Sequence, residues 1–167
     1  MSRIEDGVNF AAIERDHVRA RLYPDFEWQA FDAFSPLNPL RVPLPEARVA
    51  FVTTSGAHLA EHAPFDLDST AGDPSYRAFP STTSLADLVL THSGYDTRQA
   101  SADKNVVLPL DHLRALSAEG RIGGLASTVF SFMGYVADAT PLIEESAPAV
   151  AKQLVADRVD LVLLAPT

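Results

Sequence analysis

Short runs of consecutive apolar residues, separated by stretches of helical periodicity, are the feature that most restricts the fold of this chain. Runs that are apolar throughout are typical of strands buried on both faces of a sheet. The predicted strands are Arg48–Thr54, Asp87–Thr91, Asn105–Leu108, Ile122–Ala126 and Asp160–Leu164. The predicted helices are Asn9–Leu22, Asp111–Glu119 with Asp111 as a candidate N-cap, and Pro141–Arg158. This alternation predicts an α/β fold, Rossmann-like and three-layered, with a mostly parallel sheet and helices on both faces.

The prolines and the length predict how the chain is divided. Four prolines lie between Ser35 and Pro45, and they fix the backbone of an extended connector. Residues 1–44 are therefore predicted to be an N-terminal helical arm with this connector, and residues 45–167 to be the α/β domain. The stretch Ala60–Ser84 shows no period and is predicted to be a long loop, of the kind that forms lids or binding loops.

The charge of the chain narrows its partners. It has 13 Lys and Arg against 22 Asp and Glu, a formal net charge of −9. An acidic chain lacks the electrostatic footprint of a nucleic-acid binder and is repelled by anionic membrane surfaces. No apolar run approaches the roughly 20 residues of a membrane span. Glu5 and Asp6 argue against a signal peptide, so a cytoplasmic location is predicted.

The turn after the first predicted strand carries the first candidate site. In open α/β sheets, ligands bind beyond the carboxyl ends of the strands. Thr54, Ser55, Gly56 and His58 follow this strand and are predicted to bind substrate, because hydroxyls and turn amides can hold an anion. A simple helix cap is the equal alternative. No glycine-rich nucleotide-binding pattern occurs.

The sequence His92-Ser93-Gly94-Tyr95-Asp96 carries the second candidate site. It follows the apolar run Asp87–Thr91, and its imidazole, phenol and carboxylate could transfer protons and orient a substrate. His92, Tyr95 and Asp96 are therefore the predicted catalytic residues. The alternative is a rigid turn in which His92 is hydrogen-bonded to Asp96 or Asp103.

His58 and His62 stand four residues apart, a spacing that suits a metal on a helix. Leu59 occupies the position where the zinc-protease motif needs glutamate, and Pro64 would end a helix soon afterwards. The two histidines are therefore predicted to be loop residues, with no metal ligands in the chain.

Several segments, in order, resemble the selenoprotein B family of glycine, sarcosine, betaine and D-proline reductases. The matching stretches are Val49–His58, Pro64–Asp66, Gly72–Arg77, His92–Asp96, Asp103–Leu116, Gly120–Ala126 and Phe132–Tyr135. The resemblance implies a Rossmann-like fold and reductive cleavage of a C–N bond in a small amino acid or betaine-type substrate. It also implies a selenocysteine or cysteine just after a strand similar to DLVLLAPT, followed by a nearby cysteine.

The chain departs from this family at its redox residue. It contains no cysteine, and it ends at Thr167, where the family's redox residue would come next. Our hypothesis is that an in-frame UGA codon follows Thr167 and that the reductase-type domain is incomplete at its C-terminus. No cofactor is then expected within these residues, and the selenocysteine or cysteine is expected after Thr167. The chain alone is expected to be inactive.

The resemblance also suggests roles and partners. His92 or Asp96 could protonate the leaving amine, and Thr54, Ser55 and Gly56 could hold a substrate carboxylate. The expected partners are a small carboxylate or amine substrate, partner reductase subunits or a thiol reductant, and further copies of the chain in a homo-oligomer. Two alternatives stay open: a non-catalytic domain that binds a small acid or a subunit, and a metal enzyme using His58, His62 and His92.

Overall fold

The computed structural model describes residues 10–13, 16–17, 21 and 38–167. It divides into two compact units, Met1–Asn38 and Pro39–Thr167. In the first unit, helix α1 spans Phe10–Ile13, and the rest of the predicted helix Asn9–Leu22 lies largely outside the described residues. The predicted division after residue 44 stays a prediction.

The second unit contains both strands and helices, and its first three strands follow one another in the chain. Its strands are β1 (Arg48–Thr53), β2 (Ala57–Leu59), β3 (Tyr76–Pro80), β4 (Leu88–Leu90), β5 (Gly124–Phe132) and β6 (Leu161–Ala165). Its α-helices are α2 (Thr97–Ala102), α3 (Leu110–Ala118) and α4 (Ala147–Ala156). Short 3₁₀ turns lie at Leu44–Glu46, Leu85–Asp87 and Lys104–Val106, and a π-helical turn at Leu142–Ser146 precedes α4. None of the helices in the described part of the chain is long and apolar enough to cross a membrane.

The main sheet has four strands in the order β3-β5-β1-β6. Strand β1 pairs in parallel with both β5 and β6, whereas β3 pairs antiparallel with β5. Strands β2 and β4 form a separate antiparallel pair. The α/β class is thus confirmed, with a mixed sheet. The Rossmann-like, three-layered and mostly parallel arrangement stays a prediction.

The two faces of the sheet pack against different helices. On one face, Phe51 and Val129 join Leu110 and Leu113 of α3 in the larger core. On the other face, Phe130 and Phe132 pack against Val150 of α4, with Val52 at the edge of this cluster. Successive strand residues such as Phe51 and Val52 therefore point to opposite helices, which explains why the strands are apolar throughout.

The predicted strand Asn105–Leu108 is wrong. Lys104–Val106 is a 3₁₀ turn, begun by Asp103, whose carboxylate accepts a hydrogen bond from the Asn105 amide at 3.0 Å. Val107 and Leu108 are buried without joining a sheet, since their side chains fill the core beneath α3. Three consecutive apolar residues, Val106 to Leu108, fit a buried turn as well as a strand.

The predicted loop Ala60–Ser84 contains β3, which the sequence analysis missed. The segment Tyr76–Pro80 lacks β-branched residues and becomes a strand through its pairing with β5. Arg77 holds the preceding loop, because its guanidinium donates to the carbonyls of Ala63 at 2.6 Å and Pro64 at 2.9 Å. The same group lies 4.3 Å from the centre of the Phe65 ring.

Boundaries were also misplaced at β5 and α3. The predicted strand Ile122–Ala126 covers only the start of β5, which continues to Phe132. Ser127–Phe132 therefore belongs to the strand. Asp111 lies inside the first turn of α3, whose N-cap is Pro109. The predicted helix Pro141–Arg158 is confirmed as the π-helical turn followed by α4.

Candidate functional site

The carboxyl ends of β1, β5 and β6 meet at the turn Thr54-Ser55-Gly56, called here the β1 turn. The Thr54 amide donates to the carbonyl of Ala165 at 3.1 Å, and the Gly56 amide donates to the carbonyl of Phe132 at 2.8 Å. The Thr167 amide donates to Oγ1 of Thr54 at 2.9 Å. The residues that leave β6 are therefore tied to the first candidate site.

Gly56 allows the chain before His92 to approach the β1 turn. Its φ is +68°, and a Cβ at this position would lie 2.0 Å from the carbonyl oxygen of Thr91. The Thr91 amide donates to the Gly56 carbonyl at 2.9 Å. Only glycine fits both the left-handed conformation and this close contact. His92, the next residue, is thereby placed beside the turn.

His92 is held as a neutral imidazole. The Gly94 amide donates to Nδ1 at 2.7 Å, so the neutral ring carries its proton on Nε2. Burial lowers the pKa of His92 below its ordinary value. Nε2 is buried and has no hydrogen-bond partner among the residues that the structure describes. His92 therefore presents one unused N–H donor.

Tyr95 links the segment His92–Asp96 to the β1 turn. Its hydroxyl donates to the Ser55 carbonyl at 2.8 Å, and its ring centre lies 4.4 Å from that of His92. Burial raises the pKa of Tyr95, so the phenol stays protonated. The structure thus brings His92 and Tyr95 together with Thr54, Ser55 and Gly56.

Asp96 lies apart from this cluster in its contacts. Its carboxylate accepts from Nε and Nη2 of Arg98, both at 2.9 Å, and it caps α2 by accepting from the Arg98 amide at 3.0 Å. The side-chain hydrogen bond from Arg98 lowers the pKa of Asp96. This geometry favours a helix cap, and the catalytic assignment of Asp96 stays a prediction. The rigid-turn alternative is wrong in its partners, because Nδ1 of His92 accepts from the Gly94 amide, whereas Asp96 binds Arg98 and Asp103 caps the turn at Lys104–Val106.

The main-chain amides of the β1 turn are already used inside the protein. Those of Thr54 and Gly56 bind strand carbonyls, and that of Ser55 donates to Oγ1 of Thr53 at 3.1 Å. The hydroxyls are different. Oγ1 of Thr54 accepts from Thr167 and keeps its own hydrogen for a further bond, and Oγ of Ser55 is buried without a partner among the described residues. Hydroxyls and not amides are thus the groups that could bind an anion here.

Ser131 is a polar residue of this region that the sequence analysis missed. It is fully buried, pairs with Thr53 across β5 and β1, and its hydroxyl has no partner within the described residues. A serine inside the otherwise apolar stretch Val129–Phe132 was the pattern that could have indicated it, because buried hydroxyls normally find a hydrogen bond.

His58 is buried and fully hydrogen-bonded. Nδ1 interacts with the Leu59 carbonyl and Nε2 with Oγ1 of Thr91, each at 2.8 Å. These contacts support the β2–β4 pair, and the substrate-binding assignment of His58 stays a prediction. Nδ1 of His62 is buried without a partner among the described residues, and within the same residues no three His, Cys, Asp or Glu side chains group so as to hold a metal.

An apolar cavity of about 550 Å³ adjoins the β1 turn on the α4 side of the sheet. Thr54 and Gly134 line its end nearest the turn, and Leu154, Val162 and Leu164 line the part between α4 and β6. No local sequence pattern indicates this cavity, because it depends on the distance between α4 and β6.

The chain is similar in sequence to a known family and to several curated proteins. Residues 20–167 match the family described as glycine/sarcosine/betaine reductase selenoprotein B. The chain is 38% identical over 127 residues to D-proline reductase subunit gamma of Acetoanaerobium sticklandii, covering 76% of this chain and 51% of the relative. It is 34% identical to glycine reductase complex component B subunit gamma of Carboxydothermus hydrogenoformans, covering 83% of this chain and 32% of the relative.

A third relative is sarcosine reductase complex component B subunit beta of Peptoclostridium acidaminophilum, 29% identical over 86% of this chain and 33% of the relative. The chain therefore spans about half the length of the D-proline reductase relative and about a third of the other two. No solved structure matches it.

Proposed function

The chain belongs to the glycine/sarcosine/betaine reductase selenoprotein B family, and we propose that it forms the substrate-binding part of a reductase subunit that cleaves a C–N bond in a small amino acid or betaine-type substrate. The observation that carries the proposal is the meeting of the β1 turn, His92 and Thr167 at one edge of the sheet. Related proteins that share these segments bear the names of reductase subunits.

The redox group is proposed to be a selenocysteine or cysteine that follows Thr167. Such a residue would supply a nucleophile whose new bond to the substrate carbon replaces the carbon–nitrogen bond. A dithiol reductant would then cleave that bond, ending as a disulfide while the carbon gains a proton and the nucleophile is regenerated. Two features fit this placement. The Thr167 amide is fixed to the Thr54 hydroxyl, and His92, whose Nε2–H is unused, has its Cβ close to Gly56 of the same turn.

The chain's own residues would bind and orient the substrate. The Nε2–H of His92 and the hydroxyl of Thr54 are the available donors, and a substrate carboxylate is the acceptor that they suit. Tyr95 would act as a positioning residue, since its hydroxyl ties the His92 segment to Ser55. Asp96 is ionised and paired with Arg98, and His92 is neutral, so neither side chain is assigned as the proton donor to the leaving amine, and His92 keeps the role of a hydrogen-bond donor to the substrate.

The location and the architecture are proposed with the function. Thiol and selenol chemistry needs a reducing compartment, which supports a cytoplasmic location. The two parallel pairings of β1 and the packing of α3 and α4 on different faces support a Rossmann-like, three-layered arrangement.

The first test is the nucleotide sequence after the codon for Thr167. The proposal expects an in-frame UGA or cysteine codon there, with a second cysteine codon nearby. The second test is turnover. The longer polypeptide, combined with its partner subunits and a dithiol, should release amine from one of glycine, sarcosine, betaine or D-proline.

His92→Gln should then lower kcat/KM about 100-fold or more, because a donor to the substrate is misplaced. The matched control is His112→Gln, on the exposed surface of α3, which should leave turnover unchanged. Equal activity of the two variants would remove His92 from the site.

A second candidate function is favoured by one feature, the absence of cysteine from these 167 residues. The chain would then be a non-catalytic domain that binds a small acid or a partner subunit. Calorimetric titration of this chain with glycine, betaine and D-proline tests it. Binding without turnover in the fully assembled complex would favour the binding domain over the reductase.

A further inference from the structure

Strand β6 lies at an open edge of the main sheet as the described residues form it. Its sequence Leu161-Val162-Leu163-Leu164-Ala165 contains neither a charge nor a proline. Its four large side chains are between 36% and 67% exposed. Proteins usually protect such edges by charges, prolines or a covering element. The opposite edge strand, β3, ends in Pro80, which has no amide hydrogen to donate to a further strand. β6 is therefore the edge that can pair with another strand.

The same strand is left uncovered on the α4 side of the sheet. Leu164 pairs with Val52 in register and so points toward α4, as does Val162. Helix α4 packs over β5 through Val150, and the cavity of about 550 Å³ separates it from β6. The residues that line this cavity are almost all apolar, which suits contact with a packed helix better than contact with water.

The topology of the sheet indicates which element would fill the cavity. The connection from β5 through α4 to β6 passes beyond β1 and places its helix on one face. Crossovers between parallel strands have the same right hand in about 98% of cases. If a further parallel strand pairs with the outer edge of β6, the chain moves across the sheet in the same direction as it does from β5 to β6. Its connecting helix must therefore lie on the α4 face, where the cavity is.

The relatives are longer than the part that matches this chain. The matched segment is 51% of the D-proline reductase relative, so about half of that relative's sequence lies outside it, on one or both sides. A strand–helix–strand unit needs roughly 30 residues. We propose that the polypeptide after Thr167 forms a helix in this cavity and then a parallel strand on the outer edge of β6. This inference rests on the proposed continuation of the chain, and not on the reaction assigned to it.

Hydrogen exchange of β6 tests the inference directly. The carbonyl of Ala165 binds β1, and main-chain groups alternate along a strand, so the amides of Val162 and Leu164 point to the open edge. In the polypeptide extended to its next stop codon, with cysteine at any UGA position, these amides should exchange about 100-fold more slowly than in the 167-residue chain. Equal exchange in the two lengths would overturn the inference.

A pair of matched variants gives a second measurement. Leu164 is 67% exposed and Val106 is 75% exposed, so lysine is tolerated at both in the 167-residue chain. In the longer polypeptide, Leu164→Lys should raise the unfolding equilibrium constant about 10- to 100-fold more than in the short chain, because it removes a buried side chain. Val106→Lys should act equally in both lengths. Equal effects of Leu164→Lys in the two lengths would contradict the inference.

The remaining outcomes are also decisive. Protection of β6 that appears in the short chain only as its concentration rises would identify a second copy as the occupant. Protection that requires another subunit would identify that subunit. Either result, or a reading frame that does not continue, overturns the inference. A longer chain protected at β6 but inactive on every substrate would contradict the proposed function alone.

Discussion

Gly56 is the residue whose conformation the site depends on most. It combines a φ of +68° with a main-chain contact to Thr91 that leaves no room for a Cβ. Gly120 has nearly the same conformation, with a φ of +67°, but a Cβ there would meet nothing within 4 Å. Substitution of Gly120 therefore tests backbone strain alone, whereas substitution of Gly56 tests strain together with a steric clash.

Gly56→Ala should lower the free energy of unfolding by about 3 kcal/mol or more, because left-handed strain adds to the displacement of Thr91. Gly120→Ala should cost only about 1 kcal/mol, from the strain alone. Urea unfolding of the two variants measures both values. Equal losses would mean that the contact between Gly56 and Thr91 does not hold the two segments together.

The ring of His92 makes stability depend on pH. Because burial lowers the pKa of folded His92, the unfolded chain binds its proton first as the pH falls. Stability is therefore complete above the unfolded pKa of about 6.5 and declines as the pH falls toward the folded pKa. Denaturation at several pH values should show this decline, and it should be smaller in His92→Asn. An NMR titration of the His92 ring with a midpoint above the unfolded value would contradict the sign.

At the scale of elements, Arg114 fixes α3 to the end of β3. Its guanidinium donates to the carbonyl of Ser81 through Nε at 3.0 Å and Nη2 at 2.6 Å, and also to the carbonyl of Thr83. These carbonyls follow β3 and have few alternatives in a partly buried position. A side chain on α3 thus completes the hydrogen bonding of the turn after β3.

Arg114→Met should lower the free energy of unfolding by about 1–3 kcal/mol, because it leaves carbonyls without a charged donor while keeping the aliphatic stem. The control is Arg98→Met, because the Arg98 side chain is 89% exposed and its guanidinium binds only Asp96 among the described partners. Thermal unfolding should show a clearly larger loss for Arg114. A comparable loss at Arg98 would show that exposed pairs matter as much here.

The elements also show what the sequence could predict. β1, β6 and α4 were found because each is a long periodic or wholly apolar segment with clear end residues. β3 was missed because its partner β5 decides its conformation, and local propensity does not. Asn105–Leu108 was misassigned because burial in a turn and burial in a strand need the same apolar residues.

The site was predicted in part and for an incomplete reason. We expected the β1 turn and His92 to meet because both would follow strands of one parallel sheet. β4 instead belongs to a separate pair with β2, and Gly56, Thr91 and Tyr95 bring His92 to the turn. The use of the turn amides inside the protein depends on β5 and β6, which no local pattern around Ser55 reveals.

At the scale of the whole molecule, a net charge of −9 opposes compaction. Self-repulsion among surface carboxylates is screened over about 10 Å at 0.1 M salt. Exposed ion pairs such as Arg98–Asp96 contribute little to the free energy of unfolding, so screening them by salt lowers stability only slightly. The balance favours the folded state as ionic strength rises.

The midpoint of thermal unfolding should therefore rise by a few degrees between about 0.02 and 0.2 M NaCl. The double variant Asp138→Lys with Glu145→Lys changes the net charge from −9 to −5, since each substitution adds two charges, and should show a smaller rise. Differential scanning calorimetry measures both. A midpoint that falls with salt would show that attractive pairs dominate the surface.

The position of β1 between β5 and β6 has a consequence for synthesis on the ribosome. Arg48 pairs with Gly124 and Val49 with Leu161. The central strand therefore cannot pair until residues 76 and 112 positions later have been synthesised. Until then its apolar stretch emerges without neighbours, and contacts this distant in sequence form slowly. Nascent chains halted before Gly124 should therefore depend on chaperones for this one strand, and release from that dependence should coincide with the emergence of β5.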